Sequence, residues 1–494
     1  MRYHLASAPR IASMTLREPP PPDAFERTGV VARMALALTA WTERWVPDAF
    51  VFALVGTIIV VIAGTAATPS SLAQVIDAWG SGFWELIPFT LQMSLIIITG
   101  HVLATSTPMS RLIRVLAAWP RTPKSAVAMV TFFALASSWI NWGFSLVFSA
   151  VLAREVARRQ ADVDYRALAA ASFLGLGSIW AQGLSGSAAL QMATAGALQP
   201  PIRDIISNGG IVPEGIITFR HTVFLWQSLV SVGVEMIVVT LVMWLATPPA
   251  GRGRTARDLG IRLEEHEIEP LVATASPTPG QWLEHSPVLT WAVVAIGGTY
   301  LVRYFSQSAA PLNAINLNVV NLSFLLIGFL LHRTPAQLMH AVRAATPAVW
   351  GVILQFPFYA GIAGIITGTH LNERLAGALV SLSTPVTFPA IVAVYSAVLG
   401  VFVPSGGSKW VIEAPYVMAA AHTLKVHLGW VVAAYDLGEA LANLIQPFWM
   451  LPILGIFKLG ARDVMGYTLV VFLALAPVVL LLVTLLGTTL RYPL

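Results

Sequence analysis

Lys409, Glu413, Asp436, Glu439, Asn443 and Gln446 stand inside two long apolar stretches of this 494-residue chain. An ionisable side chain in such surroundings needs a partner or a water-filled cavity, so it marks an ion or ligand pathway. Lys409 has two readings: it attracts an anion, or it pairs with Glu413 four residues on. Glu439 can carry a proton, complete a cation site or bridge to Lys409, and Asp436 lies one turn away. Turn residues interrupt two other apolar segments, at Asn141-Trp142-Gly143 and at Pro404-Ser405-Gly406-Gly407-Ser408. Further breaks are Gln182-Gly183-Leu184-Ser185-Gly186-Ser187 and the region of Gly438, Glu439, Asn443, Gln446 and Pro447. Helix N-termini at such breaks aim N–H groups at anions. Glycine permits close backbone approach, and freed carbonyls and hydroxyls suit a hard cation. The chemistry implied is the holding of a small anion beside a coupling ion.

Anion contacts are expected from Asn141, Trp142, Gly143, Ser405, Gly406, Gly407, Lys409 and Gln355. Coupling-ion contacts are expected from Asn141, Ser185, Ser187, Glu439 and Asn443. The ion is Na⁺ or H⁺, with no resident cofactor and no other metal. The plainer alternatives are ordinary buried turns, an Asn cap at Asn141, and interhelical hydrogen bonding for Gln355 and Gln92.

The elements that position these residues follow from composition. Hydrophobic residues make up 56% of the chain and charged residues 11%, with a mean hydropathy of +0.73. About a quarter of an ordinary soluble protein is charged, so a polytopic α-helical membrane protein is expected. Cysteine is absent, which excludes disulfides and thiolate chemistry. The net charge of +5 is read as basic loops facing anionic lipid rather than nucleic acid. Residues 1–48 lack the apolar core of a secretory signal and are read as a cytoplasmic tail with an interfacial helix. Neither HExxH, P-loop nor CxxC occurs, so an enzyme or a nucleotide-driven pump is not expected.

Nine full spans are expected, at about 49–67, 84–104, 164–194, 219–246, 287–304, 314–332, 347–368, 428–454 and 467–488. Segments 124–157 and 386–422 are read as re-entrant hairpins. The arm from Lys124 to Ser138 would reach only about 22 Å as a helix, short of a ~30 Å hydrocarbon core. With the N-terminus inside, 22 of the 29 Lys and Arg residues fall in cytoplasmic segments and six outside, with Lys409 inside the second hairpin.

The chain also repeats itself. Leu91-Gln92 matches Leu354-Gln355, Arg111-Leu112 matches Arg374-Leu375, Gly143 matches Gly406, and Leu174-Gly175 matches Leu437-Gly438, each 263 residues on. An odd number of spans separates the copies, so the second is upside down. Inverted repeats with broken helices meeting near the midplane are an architecture of secondary transporters. The division expected is tail 1–48, first repeat 49–246, cytoplasmic linker 247–286, connecting span 287–304, and second repeat 309–494.

The sequence resembles the short-chain fatty acid transporter family, the bacterial acetoacetate/butyrate-type carriers. The resemblance runs from about Trp45 to Tyr467. It rests on Arg44 to Asp48, Trp79 to Trp84, Ile140 to Phe144, Ala153 to Arg159, Leu354 to Ile362 (with Pro357-Phe358-Tyr359-Ala360-Gly361), Val403 to Gly407 and Gln446 to Trp449. It implies membership of a larger ion-transporter superfamily with two inverted repeats, two re-entrant hairpins and a dimeric, elevator-like arrangement. It also implies that the tips Asn141 to Phe144 and Pro404 to Gly407 meet the substrate. The expectation is a carrier of short monocarboxylates, working by cation symport in the bacterial inner membrane, with lipid and a second copy as its partners. A carrier of another organic anion, such as a dicarboxylate, and a passive anion channel are the alternatives.

Overall fold

The computed structural model describes residues 49–198, 200–208, 212, 215–263, 278–308, 311–402, 406–446 and 448–494. The expected tail 1–48, Ser405 and Pro404 of the second tip, Pro447, and residues 264–277 of the linker lie outside these. All secondary structure among the described residues is helical. Seven of these helices are long and apolar enough to cross a membrane, and three shorter apolar helices accompany them.

The first half runs α1 (Ala49–Ala67), α2 (Leu72–Phe83), α3 (Ile87–Ala104), α4 (Thr107–Leu116), α5 (Pro123–Ile140), α6 (Trp142–Arg159) and α7 (Tyr165–Leu174). A π turn (Gly175–Ile179) and a 3₁₀ turn (Trp180–Gln182) then interrupt the helix before α8 (Ser187–Met192) and α9 (Trp226–Ala246). After the linker come α10 (Pro279–His285), α11 (Val288–Ser306), α12 (Leu317–His332), α13 (Pro335–Ala345), α14 (Trp350–Gly368), α15 (Leu371–Ser381), α16 (Phe388–Phe402) and α17 (Gly406–Leu424). The chain ends through α18 (Leu428–Ala442), α19 (Leu451–Phe457) and α20 (Ala461–Gly487). Helix α3 packs on α12, and α14 packs on α1.

Local chemistry explains the boundaries. The Ser71 hydroxyl accepts from Gln74 N–H while the Gln74 side chain accepts from Ser71 N–H, starting α2 as a capping box. Thr122 and Ser125 do the same for α5. Asp164 caps α7 through the Arg166 and Ala167 N–H groups, accepts from Arg254 N–H and pairs with Arg166. It thereby fastens the linker to the membrane body.

Three local features differ from the sequence reading. The arm ending at Ser138 runs on to Ile140, so α5 has 18 residues and spans about 27 Å at ~1.5 Å each. Leu72–Phe83, outside the expected spans, is a separate helix packed on α14. Trp79, an indole of the kind that anchors at membrane interfaces, packs instead on the Phe83 and Phe358 rings and covers Gly361. Trp84 is exposed, as an anchor should be.

Candidate functional site at the two chain reversals

Asn141 is one extended residue (φ −156°, ψ 119°) between α5 and α6. Its Oδ1 accepts from Phe144 N–H at 2.8 Å, and Trp142 N–H donates to Ser185 Oγ at 3.0 Å. Leu184 N–H donates to Trp139 O at 2.7 Å, so the break after the 3₁₀ turn is strapped to this tip. Asn141, Trp142, Gly143, Ser185 and Ser187 are all buried. Gly100 of α3 packs against the tip so closely that a Cβ there would lie 2.6 Å from Asn141 Oδ1.

Gly406 and Gly407 open α17 at the second tip. Tyr435 of α18 donates its hydroxyl to Gly406 O at 2.5 Å, and Gln191 Nε2 donates to Gly407 O at 3.4 Å. A Cβ on Gly406 would lie 2.6 Å from Trp180 Cη2, and one on Gly407 would lie 3.2 Å from Ser187 Cβ. Trp180 also meets Trp142 of the first tip, ring centroids 6.1 Å apart, and Trp142 meets Trp449 beside the second break at 5.4 Å. The structure thus brings both tips and both breaks to one buried indole cluster.

Asn443 ties the two breaks together, donating to Leu176 O in the π turn at 3.0 Å and accepting from Gln446 Nε2 at 2.8 Å. Gln182 donates to Glu235 of α9 at 2.8 Å. Glu235, which the sequence leaves isolated in an apolar span, is therefore anchored to the first break.

Lys409 is fully buried with Glu413 and Glu439. Its Nζ lies 2.5 Å from Glu439 Oε2 and 2.6 Å from both the carbonyl and hydroxyl oxygens of Ser396 on α16. Glu413 Oε1 is farther, at 3.6 Å. Both acids left open by the sequence therefore face the lysine, with Glu439 the tight partner.

Other expected residues sit apart. Gln355 is buried in α14 and has no described hydrogen bond to either tip, while Gln92 donates to Asn318 Oδ1 at 2.5 Å. Trp410, near the second tip in sequence, is core, packed on the Tyr435 ring at 4.6 Å. Two residues were missed. Trp180 carried only the proximity of the glycine-rich break as a signal, and Ser396 carried none, being one hydroxyl in an apolar helix. A cavity of about 370 Å³ lies between α2, α14 and residues 200–208, lined by Glu85, Asp204, His370, Glu373 and Gly364, and reaches Val411 on α17.

A family model described as short chain fatty acid transporter matches residues 30–486. A protein of Escherichia coli K12, named provisionally as a short-chain fatty acid transporter, is 37% identical over 447 residues, covering 90% of this chain and 97% of that protein. A Haemophilus influenzae protein of the same provisional name is 32% identical over 459 residues, covering 91% and 98%. In fold, the chain is similar to the YdaH transporter of Alcanivorax borkumensis, at TM-score 0.57 and 15% identity over 90% of this chain and 98% of that one. It is also similar to MtrF of Neisseria gonorrhoeae, described as illuminating a class of antimetabolite efflux pumps, at TM-score 0.54 and 14% identity over 93% and 97%. An all-helical, multi-pass membrane body with this sequence belongs to the short-chain fatty acid transporter family.

Proposed function

We propose that this chain is a secondary active carrier that moves short monocarboxylates, such as butyrate or acetoacetate, across the bacterial cytoplasmic membrane by cation symport and alternating access. The observation that carries the reading is the meeting of both tips and both breaks on Trp180 and Trp142 at the buried centre. Irregular backbone at membrane depth is tolerated where protein or a cavity satisfies it, and here it frames one small site. In the reading, the two halves are inverted repeats, and helices 123–159 and 388–424 are re-entrant hairpins entering from opposite faces. Nine spans accompany them, and the N-terminus is cytoplasmic. The carboxylate binds at the first turns of α6 and α17, where the Gly143 N–H has no described acceptor. The cavity beside Glu85 and Glu373 then lies on the outer side as the entry vestibule. The functional unit is a homodimer.

Selectivity for one negative charge follows from Lys409. Its ammonium is already matched by Glu439 at 2.5 Å, so no fixed positive charge is spare for a dicarboxylate. The test is uptake of labelled butyrate and acetoacetate into proteoliposomes under separate Na⁺ and proton gradients, with protein-free vesicles as background. Accumulation above equilibrium and above that background is expected under one gradient. Equilibration alone, under both, would make the protein a channel. Gly406→Val should abolish uptake while leaving folded protein, because its side chain would enter the space of Trp180 Cη2, 2.6 Å from the Cβ position, and of Glu439 Cγ, 3.1 Å away. Unchanged uptake by that variant would remove the second tip from the site.

A further inference from the structure

We infer that the coupling ion is a proton and that Glu413 carries it, in a buried relay with Lys409, Glu439 and Asp436. The inference rests on the symport reading above and deepens it.

Four ionisable groups share one dry volume. Lys409 and Glu413 are one turn apart on α17, and Asp436 and Glu439 are one turn apart on α18. None is more than 3% exposed. Three carboxyl groups face a single ammonium. That ammonium has three hydrogens, and three short contacts claim them: Ser396 O, Ser396 Oγ and Glu439 Oε2. Glu413 is left farther off, at 3.6 Å against 2.5 Å for Glu439, and neither glutamate has a well-aligned hydrogen-bond donor on its oxygens. A buried carboxylate without donors neutralises itself by taking a proton. Charge balance therefore gives an ionised Lys409–Glu439 pair with a protonated Glu413 beside it.

The other groups facing Glu413 do not supply the missing charge. Tyr395 of α16 and Tyr416 of α17 bond each other through their hydroxyls at 2.9 Å, and the Tyr435 hydroxyl of α18 is given to Gly406 O. Glu373 and Arg374 on α15, and Arg203 and Asp204 beside α17, point to the exposed surface, and α8 presents no titratable side chain. Asp436 is the remaining acid, and it adjoins a second feature. A void of about 10 Å³ is lined by Asp436, Gln182, Thr222 and Ser228, close to the volume that one water molecule needs among polar partners. Across it, Gln182 is hydrogen-bonded to Glu235. The relay thus continues from the second tip through a water-sized gap to the first break.

The same cluster adjoins the anion site. Gly406, at the second tip, lies against Glu439, and Tyr435 links its carbonyl to the helix that bears Glu439 and Asp436. An anion arriving there adds a negative charge beside a balanced pair. Glu413 in its protonated form adds no further negative charge there, so the proton and the anion each favour the binding of the other, and the coupling is reciprocal. The step is a proton transfer alone: a Glu413 carboxylate oxygen gains H⁺ from water on the loading side and returns it to water on the other. Sodium is less well served, since Asn141 Oδ1, Ser185 Oγ and Asn443 Oδ1 each already accept an N–H.

Two measurements on the full-length protein in detergent test this. Infrared difference spectra of the substrate-free protein against pH should show the C=O stretch of buried carboxylic acids, and Glu413→Gln should lose one component of it while those of Asp436 and Glu235 remain. The absence of that component from the wild-type protein overturns the proposal without reference to any substrate. Calorimetric titration with butyrate, at a pH above the midpoint at which that component is lost, in two buffers of different ionisation enthalpy should then give up to about one proton taken up per anion bound, and about none for Glu413→Gln. Butyrate binding that needs Na⁺ and takes up no proton also overturns it. A carboxylic-acid band with no binding of butyrate or acetoacetate supports the proton site and refutes the substrate assignment instead.

Discussion

Gly438 is the residue on which α16 rests against α18. A Cβ built there would lie 2.7 Å from Ala393 C and Cα, with the Ala393 carbonyl oxygen closer still. Carbon atoms in ordinary contact are about 3.5–4.0 Å apart, so Gly438→Ala forces the two backbones apart by roughly 1 Å. Overpacking of this kind costs about 1–3 kcal/mol. The gain in helix propensity from Gly to Ala returns ~1 kcal/mol, which leaves a net loss of up to about 2 kcal/mol. The geometric consequence is larger than the energetic one. Ser396 lies one turn beyond Ala393 on the displaced helix, and its two 2.6 Å contacts to Lys409 Nζ would stretch toward ~3.6 Å, where a hydrogen bond no longer holds. The expected outcome is a lowered melting midpoint in detergent and a loss of uptake greater than the lost stability alone would give. Gly298→Ala is the matched control, because nothing lies within 4 Å of its Cβ position on α11. It should be neutral or slightly stabilising. A Gly438→Ala protein as stable and as active as the Gly298→Ala protein would refute the backbone contact.

Other outcomes follow from single side chains. Asp164→Ala removes the cap of α7 and the acceptor for Arg254 N–H, and should cost roughly 1–2 kcal/mol; faster tryptic cleavage around Arg252 to Arg257, restored to normal in Asp164→Asn, is the readout. Asn443→Leu strands the Leu176 carbonyl in the buried interior, which should lower the melting midpoint by the equivalent of about 1–3 kcal/mol. An unchanged midpoint would show that the two breaks are not held together by this bond.

The breaks at Asn141, at Gly183 to Gly186 and after Ala442 were legible because they are written in residues that apolar helices otherwise avoid, whereas Gly438 and Glu439, expected within the last of them, lie inside the unbroken helix α18. Asn141 followed by Trp142 and Gly143 gave the reversal, and Gly406-Gly407 marked where α17 begins. The arm of the first hairpin was read too short because Ser137 and Ser138 resemble turn residues. Ser137 Oγ in fact bonds back to Phe133 O at 2.6 Å, which satisfies the hydroxyl without ending the helix. Helix α2 carried a signal that went unused, the Ser71-x-x-Gln74 capping box. The Lys409 pairing could not be decided in sequence, because α17 offers Glu413 at helical spacing while Glu439 arrives from another helix. The role of Trp180 was invisible for the same reason: its neighbours Gly406 and Trp142 come from opposite halves of the chain.

The indole trio of Trp142, Trp180 and Trp449 has an optical corollary. Its rings meet at 5.4 and 6.1 Å and are inclined by 70° and 73°. Chromophores so near and so steeply crossed share their excited states, which gives a paired positive and negative band in circular dichroism that a solitary indole lacks. The molecule therefore carries an unlabelled gauge of its own midpoint. Any motion that draws the two halves away from each other should flatten that couplet in real time.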